Sequence, residues 1–302
     1  MPAFTQTVEQ FYARISGVGR RIERIGLAVA AVSFVIGLVW AISTFPQSLT
    51  LTIWPLAVLL LLGVPLTTVL NAAEFHVMSR TAAVRVGWLK SLETTIFASA
   101  ANMLPIPGSV VARVAALKSG GATIRVGSTI AVLFAGIWGG TAFCYSGIWL
   151  SILGHASLGQ MFTAAGIGAL GLCFLASLRL HMKKSLLAQA LAIRVASLLV
   201  DATRQMLAIS SLGTSIGFGK ASILVVSSFV GSAVSIVPAG LGVREYVVAV
   251  LAPLIALPPS AGFLSAAINR CVAMFGLAFL SGVLFLSKRG TQRESAVGNR
   301  NR

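Results

Sequence analysis

The sequence predicts an all-α polytopic membrane protein, with about six spanning helices and two re-entrant helical hairpins arranged as an inverted repeat. Composition is the first ground for this. Hydrophobic residues make up 57% of the 302 and charged residues only 10%, with a mean hydropathy of +0.92, where a soluble domain carries roughly 25% charged residues. The second ground is a series of six apolar runs, each reaching the roughly 20 residues that cross a bilayer core. The third is a pair of further apolar stretches, each broken in the middle by proline and glycine.

Residues 1–25 come first and are of a different kind. Phe4, Val8, Phe11, Ile15, Val18, Ile22 and Ile25 recur at alternating spacings of four and three, one face of a helix, accompanied by Arg14, Arg20, Arg21 and Arg24. This reads as an amphipathic helix lying on an anionic cytoplasmic leaflet, with a short coiled-coil contact to a protein partner as the rival. No cleavage site follows the first apolar run, so that run is expected to stay as an uncleaved helix.

The membrane domain occupies 26–287, and its spanning candidates are 26–46, 52–74, 126–153, 158–178, 186–212 and 261–286. Stretch 91–118 is interrupted by PIPG at 105–108, and stretch 221–257 by PAGLG at 238–242. Proline removes a backbone donor and glycine admits unusual torsions, so each stretch is two helices with a break. The arms are short for crossing at about 1.5 Å per residue, which favours hairpins that enter and leave on one side. Non-helical backbone at membrane depth needs protein or water around it, so the breaks should line a cavity. Residues 288–302 are expected to be a disordered basic cytoplasmic tail.

Charge sets the orientation. Seventeen of the 23 Lys and Arg fall before residue 26, in 75–90, at Lys118 and Arg125, in 179–184 or after 287, whereas the opposite gaps hold only Lys220. If each hairpin returns to its own side, all seventeen are cytoplasmic, as are both termini. The formal charge of +16 therefore reflects topology, and no basic patch interleaved with aromatics suggests nucleic acid. Cys144, Cys173 and Cys271 sit inside apolar runs, and His76, His155 and His181 are scattered singly. No metal, cofactor or enzyme chemistry is expected from such spacing.

Shifting the chain by 131 residues lays Pro107 on Pro238 and Arg113 on Arg244, with small residues preceding both breaks. Two hairpins entering from opposite sides form an inverted repeat, which in transporters places a substrate site at the midplane.

Five arginines remain inside apolar segments: Arg113, Arg194, Arg204, Arg244 and Arg270. Four acidic residues accompany them: Glu74, Glu93, Asp201 and Glu245. A charge at the bilayer centre costs about 2.5–3.5 kcal/mol even on lenient scales. Such residues need partners, water or ligand. Arg244 and Glu245 follow the glycines Gly240 and Gly242 at the start of a helical arm, where free amides and the helix dipole favour an anion. Arg244 adds a planar fork suited to phosphate. Glu245 is expected to neutralise or orient an arginine, or to carry a proton; the alternative is a buried Arg-Glu clamp around the break. Arg113 either joins the site or snorkels to the surface. Asp201 and Arg204, three apart on one helix face, join the site or act as packing glue, with Arg194 on the same face. Asn269 and Arg270 complete the cavity wall or pair locally. Glu74 and Glu93 read as boundary residues, free to be solvated. Together these residues describe a cationic cavity in an apolar shell, suited to an anionic lipid or a polyprenyl-phosphate-linked substrate.

NMLPIPGSVVARVAAL at 102–117 and IVPAGLGVREYVV at 236–248 resemble the two signatures of the flippase-like transmembrane domain of lysylphosphatidylglycerol synthases, and the likeness extends over about 26–287. The second signature, P-x-G-x-G-x-R-E, is the more specific. Ser109 and Ala239 stand where many relatives have glycine. The resemblance implies a multi-pass protein of the bacterial inner membrane that moves a lipid between leaflets. It also implies motif roles for Asn102, Pro105, Gly108 and Arg113 in one signature, and for Pro238, Gly240, Gly242, Arg244 and Glu245 in the other. The soluble lysine-transferring domain of the two-domain synthases has no counterpart in this sequence.

The resulting expectation is translocation of an anionic phospholipid or lipid-linked precursor. The alternative is a non-transporting membrane subunit that scaffolds a lipid or glycan biosynthesis enzyme, as that enzyme's partner or as a homo-oligomer.

Overall fold

The computed structural model describes residues 28–45, 51–101, 108–233 and 241–298. The surface helix expected over 1–25 lies outside them, as do Asn102, Pro105, Pro107, Pro238 and Gly240 at the two breaks. All regular structure among the described residues is helical, which makes the chain an all-α polytopic membrane protein.

Among the described residues ten helices follow one another: α1 Ala28–Thr44, α2 Ile53–Thr81, α3 Trp88–Ala101, α4 Gly108–Ser119, α5 Ile124–Ile152, α6 Ala156–Arg179, α7 Lys184–Ser210, α8 Phe218–Ala233, α9 Val243–Leu251 and α10 Pro259–Gly298. Five of them (α2, α5, α6, α7 and the Pro259–Leu284 part of α10) are long and apolar enough to span a bilayer. The sixth expected span, 26–46, contributes the 17-residue helix α1. Large apolar side chains such as Val132, Ile167, Leu172, Phe275 and Phe279 stand exposed on the outer faces. Such a surface suits lipid, not water.

The local sequence explains the boundaries. Thr123 caps α5, its hydroxyl accepting from Val126 N at 3.3 Å. α2 relaxes into a π-helical turn at Leu59–Gly63 just ahead of Pro65, where proline cannot donate to the ladder. α2 also runs to Thr81, past the end expected near 74, because Glu74 is neutralised inside the bundle rather than solvated at its edge. α10 remains helical to Gly298, past position 288, where the sequence reading begins a disordered tail.

Four contacts fix the course of the hairpins. Val84, in the α2–α3 turn, lies against Gly120, just after α4. Hairpin α3–α4 therefore starts and finishes at one end of the bundle. That end carries Arg80, Arg85, Lys90, Lys118, Arg125, Arg179, Lys183 and Lys184. At the other end, Thr52 N donates to Ser211 O at 2.9 Å, joining the start of α2 to the end of α7. Gly219, early in α8, meets the ring of Trp149 near the end of α5. His155, between α5 and α6, bonds Leu254 O beyond α9 at 2.8 Å. Hairpin α8–α9 thus starts and finishes at the far end. The order span, span, hairpin, span holds for α1–α5 and again, in opposite direction, for α6–α10.

α5 and α6 join the halves. They pack antiparallel through glycines: a Cβ on Gly147 would stand 2.7 Å from Gly159 O, and one on Gly166 would stand 2.5 Å from Cys144 N. Small residues allow this approach where lipid supplies no hydrophobic drive. α1 packs on the second half, with the rings of Phe263 and Tyr246 filling the space that Gly37 leaves and Tyr246 Oη donating to Ser33 O at 2.9 Å.

Candidate functional site: a buried arginine array

Each hairpin sends its second arm toward the bundle interior, and each arm is tied there by a buried carboxylate. In the first half that carboxylate is Glu74 of α2, only 1% exposed. Its Oε2 accepts from Arg113 Nη1 of α4 at 3.2 Å, and its Oε1 pairs with Arg194 of α7. The Arg194 guanidinium also lies 4.9 Å from the ring centroid of Trp138 on α5, a cation–π contact that orients it. Arg113 therefore does not snorkel to the surface, and Glu74, read from sequence as a boundary residue, is the anchor of this half.

In the second half the anchor is Glu245 of α9, fully buried. Its two oxygens receive Arg270 of α10, Nε at 2.7 Å and Nη2 at 3.3 Å. Oε2 also accepts from Gly242 N at 2.9 Å, so the third residue of the helix reaches back to the residue that caps it. Gly242 has φ +84°, a torsion that favours glycine. Local backbone and distant ion pair are thus held by one side chain.

Between the anchors lies a network on α2, α7 and α10. Arg204 donates to Thr67 Oγ1 at 3.0 Å and to Asn269 Oδ1 at 2.8 Å, and pairs with Asp201 at 3.7 Å. Gln205 donates to Ser265 Oγ at 2.9 Å and accepts from Asn269 Nδ2 at 3.3 Å. Gly63, in the π turn of α2, makes room for the Arg204 stem: a Cβ there would stand 3.0 Å from Cγ. The 131-residue offset recurs here. It carries Glu74 onto Gln205 and Trp138 onto Asn269. The first pair flanks Arg194; Gln205 and Asn269 bond each other beside Arg204.

Arg244 is different from the rest. It starts the second turn-facing arm, with its Cβ against Gly231 of α8. Among the described residues it makes no hydrogen bond or ion pair, and its Nε is buried without a partner. Asp201, Arg204, Arg270 and Glu245 are its electrostatic neighbours. The Nε atoms of Arg113, Arg194 and Arg204 are also buried and unpartnered. The array therefore retains directed N–H groups beyond those its carboxylates use, in a site where an unmet donor costs about 1–3 kcal/mol. An acceptor-rich anion would satisfy them.

Of the residues predicted for the site, the fold gathers Arg113, Asp201, Arg204, Glu245 and Arg270 in the two anchors and the network between them, while Arg244 takes part in neither; Gly108 begins α4 and Gly242 precedes α9. Sequence reasoning missed Glu74, Thr67, Gln205, Ser265 and Trp138. Among the described residues no three His, Cys, Asp or Glu side chains gather as metal ligands. An apolar groove of about 410 Å³ between α1, α9 and α10 is lined by Trp40, Tyr246, Val250 and Pro253, on a different face of α9 from Arg244.

Comparison of the chain with protein-family models, curated proteins and solved structures finds no match.

Proposed function

We propose that this protein translocates an anionic phospholipid or lipid-linked precursor between the two leaflets of its membrane. The observation that carries this reading is Arg244, a guanidinium inside a membrane bundle with no hydrogen bond or ion pair among the described residues. Leaving a charge so placed is unfavourable unless a ligand or water meets it. The surrounding fold supports the same reading. Two hairpins open from opposite ends toward one arginine array, and the outer faces are lipid-compatible. The resemblance of both hairpin signatures to the flippase-like domain of lysylphosphatidylglycerol synthases supports the same reading and a bacterial inner membrane, and the distribution of basic residues supports cytoplasmic termini. The basic end of the bundle is then the cytoplasmic one.

A second reading, a scaffold for a lipid or glycan biosynthesis enzyme, draws on Glu74 and Glu245. Both are closed on arginines, as structural clamps would be. Reconstitution separates the two. Wild-type protein in liposomes should move fluorescent phosphatidylglycerol between leaflets. Arg244→Ala should stop that movement in a protein of unchanged thermal stability, and Arg244→Lys should restore little, since a point charge does not replace a planar fork. Full transport by a stable Arg244→Ala protein would sink the headgroup reading; no transport by any variant favours the scaffold.

A further inference from the structure

Glu74, Asp201 and Glu245 each pair with arginines of the array, but they are not held alike. Glu245 receives Gly242 N and two nitrogens of Arg270, and its side chain is fully buried. Glu74 closes on Arg113 and Arg194 and is 1% exposed. Asp201 of α7 makes one ion pair, to Arg204 Nη1 at 3.7 Å, and no hydrogen bond among the described residues, and its side chain is 17% exposed. Arg204 does not depend on it, because Thr67 and Asn269 hold that guanidinium at 3.0 and 2.8 Å. Of these three carboxylates, Asp201 alone can leave its partner without breaking a brace.

Its place relates it to Arg244 as well. Leu198 and Ala202, which bracket Asp201 on α7, pack with Val225 and Phe229 of α8, and Gly231 of that same helix takes the Cβ of Arg244. Asp201 is the strongest electrostatic neighbour of Arg244, ahead of Glu245 beside it in the chain. One loosely held carboxylate therefore acts on a guanidinium that has other partners, Arg204, and on one that has no hydrogen bond or ion pair among the described residues, Arg244. In a low-dielectric site a carboxylate and a phosphate repel each other at close range, and both are drawn to the same guanidinium.

We propose that Asp201 is the built-in counter-ion of the anion site: without ligand its carboxylate offsets the charge of Arg204 and Arg244, and an arriving phosphate group displaces it. Asp201 is then a positioning residue that competes with the ligand rather than a group that binds it. The assignment rests on the reading that Arg244 meets an anionic headgroup, and adds what balances that arginine when the headgroup is absent. A tethered competitor of the same charge also keeps the bound state reversible, because the phosphate is held only by the margin between the two anions.

The experiment uses the full chain in detergent, with thermal stabilisation as the measure of binding. The probes are phosphatidylglycerol, inorganic phosphate, and diacylglycerol, which has the tails without the phosphate. Asp201→Asn should bind phosphatidylglycerol about tenfold or more tightly than wild type, with diacylglycerol binding unchanged. Arg244→Ala with Asp201→Asn should show no such gain over Arg244→Ala alone. Equal or weaker binding of both anions by a folded Asp201→Asn protein overturns the proposal, and so does a gain that persists without Arg244 or extends to diacylglycerol. If that variant does not fold, wild type still decides: phosphatidylglycerol or phosphate should speed modification of Asp201 by a carbodiimide about threefold or more, since the carboxylate is released from its guanidinium partners. Unchanged or slower labelling overturns the proposal. A gain for inorganic phosphate with none for phosphatidylglycerol, or the full binding signature with no leaflet exchange by wild type in liposomes, leaves Asp201 as the counter-ion and removes the lipid-translocation reading instead.

Discussion

Glu245 grips Arg270, 25 residues away, with Nε to Oε1 at 2.7 Å, while the Arg244 beside it in the chain makes no ion pair among the described residues. Consecutive helical positions point about 100° apart and cannot face each other. The adjacent charges therefore differ in role: one clamps α9 to α10, and the other is the group that the proposed function assigns to the ligand.

That division predicts opposite mutational signatures. Glu245→Gln leaves Arg270 buried beside a neutral amide and weakens the brace on Gly242. It should destabilise the protein by about 3–5 kcal/mol, the usual cost of breaking a buried pair from one side. Glu245→Gln with Arg270→Met should recover part of that loss. Thermal unfolding in detergent of the single and double variants checks both statements; equal losses in the two would refute the pairing.

Glu74 serves two arginines, so its removal should cost more than removal of either partner. Glu74→Gln is expected to lose about 3–5 kcal/mol, and Arg113→Gln less, because Arg194 still neutralises the carboxylate. Measured midpoints should rank wild type, Arg113→Gln, Glu74→Gln in falling order. The reverse order would mean that the Glu74 carboxylate is not the anchor of the first hairpin.

Glycines on α6 divide by face. Gly166 has backbone of α5 within 2.5 Å of an added Cβ, whereas Gly168 and Gly171 meet nothing within 4 Å. Gly166→Ala should cost about 1–3 kcal/mol through overpacking. Gly168→Ala and Gly171→Ala should be neutral or stabilising by about 0.5–1 kcal/mol, from helix propensity alone. Unfolding midpoints of the three single variants decide this.

The opposed hairpins predict sidedness of labelling. In a background lacking the three native cysteines, Ser119→Cys, at the end of hairpin α3–α4, and Leu153→Cys, at the far end of α5, should react with a membrane-impermeant maleimide from opposite sides in intact cells and inverted vesicles. Reaction of both from one side would contradict the crossing of α5.

The apolar runs and the helix ends that flank both breaks were legible in the sequence, because span length, proline and glycine act locally. Glu74 was not. It lies near the end of an apolar run, and depth within a bundle depends on neighbours that periodicity does not reveal. One signal was present nonetheless: Arg113 and Arg194 had no carboxylate in their own helices at bonding distance, so an acidic residue from another helix was required. The Glu245–Arg270 pair was hidden for the same reason, although the geometry of adjacent helical residues already argued against an Arg244–Glu245 clamp. Thr67 and Gln205 are ordinary polar residues until Arg204 is placed beside the one and Asn269 beside the other.

The backbone-close junction of α5 and α6 has a mechanical consequence. Where Gly140, Gly147, Gly159 and Gly166 bring main chain against main chain, the side chains that share the seam (Cys144, Ser151, Thr163 and Leu170) are packed against glycine and leave little room to absorb a displacement. The junction is stiff, and it belongs to both halves. In the proposed translocation it would serve as a stator. Compliance would be left to the hairpins, whose second arms hang on carboxylate–guanidinium links. Force applied at one hairpin would then not be dissipated at the centre of the molecule but delivered across it.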